Sequence, residues 1–132
     1  MKRILVVVLC TIVVVGCSKE KEKILTCSGL FEISTQDAVI LQKSEYVFTF
    51  DKNGDNLRKM SASITIGDSP MVWAAGEGKD GVNCNKGKEI ICEYKIDELD
   101  TDMKNEVYRF LGETLTFEEV KNNLERADYI CE

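Results

Sequence analysis

The chain has 132 residues, with 17 Lys and Arg against 23 Asp and Glu, a formal net charge of −6. That acidity repels polyanions, so neither nucleic acid nor anionic lipid headgroups are expected ligands. There is no histidine, which removes the commonest general base and zinc ligand and excludes Ser/His/Asp and Cys/His catalysis as written.

The N-terminus has three parts. Lys2 and Arg3 give a positive start, and Ile4 to Val15 is apolar except for Thr11. A spanning helix needs ~20 apolar residues, so this run has the length of a signal-peptide core rather than a permanent span. Val14-Val15-Gly16-Cys17 follows, then the charged stretch Ser18 to Lys23. This tetrapeptide resembles the lipobox of bacterial lipoproteins: aliphatic, small or β-branched, small, then cysteine. The resemblance implies cleavage after residue 16 and a diacylglyceryl group, with palmitate-class acyl chains, on the Cys17 sulfur. The freed amino group is then open to acylation. Each buried methylene contributes about 0.8 kcal/mol, and two chains hold a protein stably where one does not. The chain therefore divides into a signal peptide (1–16), a lipid-bearing cysteine with a hydrated tether (17–23) and one α+β domain (24–132). Removing residues 1–16 takes away two cations and no acid, so the charge becomes 15 − 23 = −8.

Ile24 to Ile33 reads as a strand with apolar Leu25, Cys27, Phe31 and Ile33 on one face, and Gly29 as a bulge or kink. Ala38 to Leu41 is compatible with strand or loop. Glu45 to Phe50 is a strand with Tyr46, Phe48 and Phe50 sharing a face. Asn53-Gly54 signals a hairpin. Beyond it, Met60, Ala62, Ile64 and Ile66 alternate with Ser61, Ser63 and Thr65, the pattern of a strand with one wet face. Gly67 to Pro70 breaks the sheet, and Pro70 predicts a short helix over Met71 to Ala75 with Trp73 in the core. Gly76 to Gly81 is a loop. Val82 to Cys84 and Lys88 to Ile96 read as a second hairpin, with Ile90, Cys92, Tyr94 and Ile96 on one face.

The period then changes to about 3.6 residues. Leu99, Met103, Val107, Phe110 and Leu111 mark a helix from about Asp100, stopped by Gly112. Thr116 and Glu119 form a capping box flanked by Leu115 and Val120 at the hydrophobic-staple positions. Phe117, Val120, Leu124 and Ala127 give the buried stripe of a last helix. The fold expected is α+β: an antiparallel β-meander sheet with two C-terminal helices packed on it, stapled by disulfides.

Cys10 leaves with the signal peptide and Cys17 takes the lipid, so Cys27, Cys84, Cys92 and Cys131 remain, in a chain exported to an oxidising compartment. Four cysteines allow three pairings. Cys27–Cys131 with Cys84–Cys92 is favoured, because the first ties the ends of the domain and the second is local.

This order is similar to that of small YehR-like envelope lipoproteins. They share the early Thr26-Cys27, the turn Asp51-Lys52-Asn53-Gly54 and an aromatic residue before a last cysteine, here Tyr129-Ile130-Cys131. The resemblance is one of layout and implies no activity, since no catalytic residues are established for that group.

Other chemistry meets a structural explanation at each place. Cys84 and Cys92 have seven residues between them, too many for a redox Cys-x-x-Cys or a zinc knuckle. Asp51 to Asp55 lacks the glycine and the glutamate a calcium loop needs, since Asn56 and Ala62 stand there. Asp97, Glu98, Asp100 and Asp102 form a cluster able to meet a cation or basic partner, but carboxylates at a helix start complement its amides and dipole. No metal or cofactor is expected. The expected role is non-enzymatic: a binding or accessory module on the outer face of a bacterial membrane, anchored through Cys17 and meeting an envelope protein or small ligand. The alternatives are an inhibitor or immunity-type protein that blocks a basic exported partner, and an acid-pair hydrolase.

Overall fold

A computed structural model describes residues 22–132 of the chain. The expected signal peptide, Cys10, the lipid-attachment residue Cys17 and most of the tether lie outside the described residues. The first strand, β1 (Lys23–Ser34), pairs antiparallel with β2 (Val39–Phe50) along its whole length, from Lys23 opposite Phe50 to Ser34 opposite Val39. Val39 to Leu41 is therefore strand. Thr35 closes the turn, its N–H donating to the Ala38 carbonyl and its hydroxyl accepting from the Ala38 N–H.

Gly29 is not the bulge expected from sequence. It pairs with Ser44 in unbroken register. A Cβ there would meet Phe31 Cε2 at 2.5 Å and Tyr129 Cδ2 at 3.0 Å, so the glycine makes room for two rings rather than bending the strand. The irregularity lies between Thr49 and Phe50, opposite β3 (Leu57–Ile66). The turn between them follows the Asn-Gly signal: Gly54 takes φ 76°, and the Asp51 carboxylate accepts from Asp55 N (2.9 Å) and Asn56 Nδ2 (2.8 Å).

Pro70 does not start a helix. It lies in a three-residue strand, β4 (Ser69–Met71), opposite Thr65, and only Trp73–Ala75 forms a 3-10 turn. A one-turn helix fixes several dihedrals for one hydrogen bond, so pairing with the exposed edge of β3 wins. Then β5 (Val82–Lys86) and β6 (Ile90–Lys95) form the second hairpin, with β6 beside β3. After the helices, β7 (Ile130–Cys131) adds to the far edge of β1. The seven-stranded antiparallel sheet runs β5-β6-β3-β2-β1-β7, with β4 also on β3.

The helices are α1 (Thr101–Leu111) and α2 (Phe117–Arg126). Asp100 caps α1 by accepting from Met103 N, and Thr116 caps α2 by accepting from Glu119 N. Leu99, Met103, Val107, Leu111, Leu115, Val120 and Leu124 are buried against Leu25, Tyr46, Phe48, Phe50, Met60, Ala62, Ile64 and Tyr94 of one sheet face. Phe110 and Phe117 are half-buried, and Ala127, expected in the stripe, is exposed because it is the C-cap of α2. The domain is α+β, with the helices after all but the last strand. Two disulfides staple it: Cys27–Cys131 joins β1 to β7, and Cys84–Cys92 joins directly opposite residues of β5 and β6.

Candidate functional site

Strand alternation sends one set of side chains to the helices and the other to the opposite face, which no helix among the described residues covers. On that open face Leu30 stands opposite Lys43, and Lys43 opposite Thr65. The next rung sets Glu32 opposite Leu41. The face is mixed: four exposed apolar residues lie toward the β1–β2 turn and the β7 edge, while Ile24 at 59 % and Ile91 at 44 % stand apart on it. Leu30 is 65 % exposed, Val39 60 %, Leu41 48 % and Ile130, on β7, 70 %. Isolated exposed apolar residues need no explanation, whereas several on one patch mark a place for contact.

Two shallow hollows meet here. One, of about 480 Å³, runs between Leu30, Leu41 and Lys43 on one side and Lys88 and Glu89 on the other. Its far wall is held by Ser63 Oγ donating to Glu89 Oε1 at 3.2 Å. The second, of about 450 Å³, lies at the β1 edge among Leu30, Lys43, Asp128 and Ile130. Leu30 and Lys43 are common to both. Among the described residues neither Lys43 nor Glu32 has an ion-pair partner. The arrangement offers apolar contact beside side chains of both charges, which suits recognition of another molecule.

The residues singled out from sequence fall elsewhere. The four cysteines are spent on disulfides. In the acidic cluster, Asp100 serves as the α1 cap, and among the described residues no three His, Cys, Asp or Glu side chains gather as a metal site. Two carboxylates titrate low for structural reasons. The Asn56 side-chain amide holds Asp51 below the usual range, and the Thr114 hydroxyl with its N–H holds Glu119 low. A general acid needs the opposite displacement. Trp73 packs edge-on to Tyr94 at 5.4 Å, and the Tyr94 hydroxyl donates to the Trp73 carbonyl at 2.9 Å. Burial pushes Tyr94 up to about 12 and raises Tyr46 further.

Leu30, Leu41 and Lys43 were not singled out from sequence. A signal was there: Leu30 and Leu41 break the alternation of their strands, placing apolar residues on both faces of one hairpin. The chain matches no family model, no curated protein and no solved structure.

Proposed function

We propose that this is a lipid-anchored protein of the bacterial envelope, a non-enzymatic binding module held on the outer face of a membrane by acyl chains on Cys17. The observation that carries the reading is the run Val14-Val15-Gly16-Cys17 behind a twelve-residue apolar core and ahead of a charged tether. β1 begins at Lys23, six residues after the lipid cysteine, a reach of about 20 Å when extended. Among the described residues no helix is long and apolar enough to cross a membrane; in this reading acyl burial supplies the attachment. Two disulfides suit an oxidising compartment. Binding would use the open sheet face around Leu30, Leu41 and Lys43.

Replacing Cys17 by alanine tests the anchor. The variant is expected to escape cleavage at 16/17, to lose the lipid mass and to stop sedimenting with the bilayer. Unchanged processing, mass and sedimentation would defeat the proposal.

A further inference from the structure

Among the described residues, part of the outer edge of β1 has no strand partner. Thr26 exchanges both main-chain hydrogen bonds with Glu132, on the side away from β2, while Thr35 N bonds to Ala38 O on the β2 side. These two contacts fix the parity: even-numbered residues of β1 turn their N–H and C=O outward. β7 takes up this edge only at Cys27 and Ser28. It goes no further because the chain swings away through Asp128 at φ 72° and the Tyr129 ring lies against Gly29. Leu30, Glu32 and Ser34 thus present outward main-chain groups, and all three residues are exposed. Natural edges are usually blunted by charged side chains, lysine above all, by proline, by a bulge or by a covering element. Between Gly29 and Ser34 there is no proline, no lysine and no break in register, and Glu32 is the one charge.

We infer that the β1 edge from Leu30 to Ser34 binds an extended segment of another polypeptide as an added antiparallel strand, with a basic residue opposite Glu32. This deepens the binding-module reading and rests on it. Antiparallel addition continues the line of β7 and is the more stable ladder. A second copy of this chain fits poorly. Self-pairing that uses all three outward residues sets Glu32 directly against Glu32, and like charges directly opposite are destabilising. Each mature copy also carries a net charge of 15 − 23 = −8. The registers that avoid this set Glu32 against Leu30 or against Ser34, and each leaves one outward residue unused. A foreign strand has no such conflict. In N-to-C order it needs a polar residue opposite Ser34, a Lys or Arg opposite Glu32 and an apolar residue opposite Leu30, with apolar residues between them facing Ile33 and Phe31.

The test uses the full-length lipidated chain in detergent micelles with two synthetic peptides, Thr-Thr-Val-Lys-Val-Leu-Thr and its twin with Glu for Lys. Hydrogen exchange is read at single amides. The lysine peptide is expected to slow exchange saturably at Leu30, Glu32 and Ser34, with a preference of about two- to fivefold over its twin. Glu32→Lys should reverse that preference. Glu32→Pro removes an outward N–H that β2 does not use, so it should abolish the slowing while core amides stay protected. No slowing at these amides, or equal slowing by both peptides, overturns the inference. Slowing without peptide that rises with protein concentration also overturns it and identifies a second copy as the occupant. Sedimentation of the same sample with bilayers reports separately on the Cys17 anchor.

Discussion

Gly112 ends α1 with φ 113°, a conformation that L side chains rarely adopt. A Cβ there would lie 2.6 Å from Asn123 Nδ2 and 2.7 Å from Glu119 Oε1. Both atoms are already committed, Asn123 donating to the Leu111 carbonyl at 2.9 Å and Glu119 accepting from Thr114 N at 2.7 Å. Gly112→Ala should therefore cost about 2–3 kcal/mol in urea unfolding, combining backbone strain with a displaced pair of hydrogen bonds. A loss under about 0.5 kcal/mol, the range of an ordinary surface change, would show that the junction yields. The stop at Gly112 was legible in the sequence, but its neighbours were not. Half of the capping box forms as read, with Thr116 Oγ1 accepting from Glu119 N at 3.2 Å. The return contact goes from Glu119 to Thr114 instead of Thr116, because the chain approaches α2 through Leu115 at φ 53°.

Elements were legible where their period was strong. The alternation of β3 and the 3.6-residue stripes of α1 and α2 each give a buried face that the structure retains. Short elements were not, since β4 and β7 exist only because an adjacent strand offers an edge. The same holds for Gly29, whose role depends on a tyrosine one hundred residues later. The disulfides allow the two scales of closure to be compared. Cys27–Cys131 spans 104 residues and Cys84–Cys92 spans 8. In the chain-entropy account the first contributes about 4.7 kcal/mol and the second about 2.5 kcal/mol. Paired replacement, Cys27→Ser with Cys131→Ser, should thus lower stability by about 2 kcal/mol more than Cys84→Ser with Cys92→Ser. Equal losses in urea unfolding would mean that reduced β7 stays on β1 through packing alone. The second variant also tests whether β5 depends on the bond to hold its place outside β6.

For the whole molecule the titrating groups define a pH window. Asp51 and Glu119 have lowered folded values, so their stabilisation is present above their ordinary values of 3.8 and 4.5 and is lost as pH falls through the folded ones. Tyr94 and Tyr46 have raised folded values, so folding favours the neutral phenols fully below the ordinary value of 10.0. That contribution declines as pH rises towards about 12 for Tyr94. With no histidine in the chain, little should titrate between these limits. The urea midpoint should be flat from about pH 5 to about pH 9 and fall on both sides. Replacing Glu119 by glutamine should flatten part of the acid limb. A midpoint that kept rising below pH 4, or above pH 10, would contradict these assignments.

Features that depend on near neighbours along the chain can be read from the residues alone. These are the period of each long strand and helix, the Asn53-Gly54 turn, the Thr116 N-cap and hence the α+β class. The sequence also carried the run Val14-Val15-Gly16-Cys17, whose resemblance to a lipobox is a local signal by nature. Features that join residues distant in the chain emerge with the fold. It placed β6 rather than β5 beside β3, set β7 on the far edge and gathered Leu30, Leu41 and Lys43 on one uncovered face. Among the described residues it also left the β1 edge open beyond Ser28. The physical reason is that periodicity shows which face a strand buries, whereas strand order and free edges are settled by competition among all strands for partners and by where two short helices can lie.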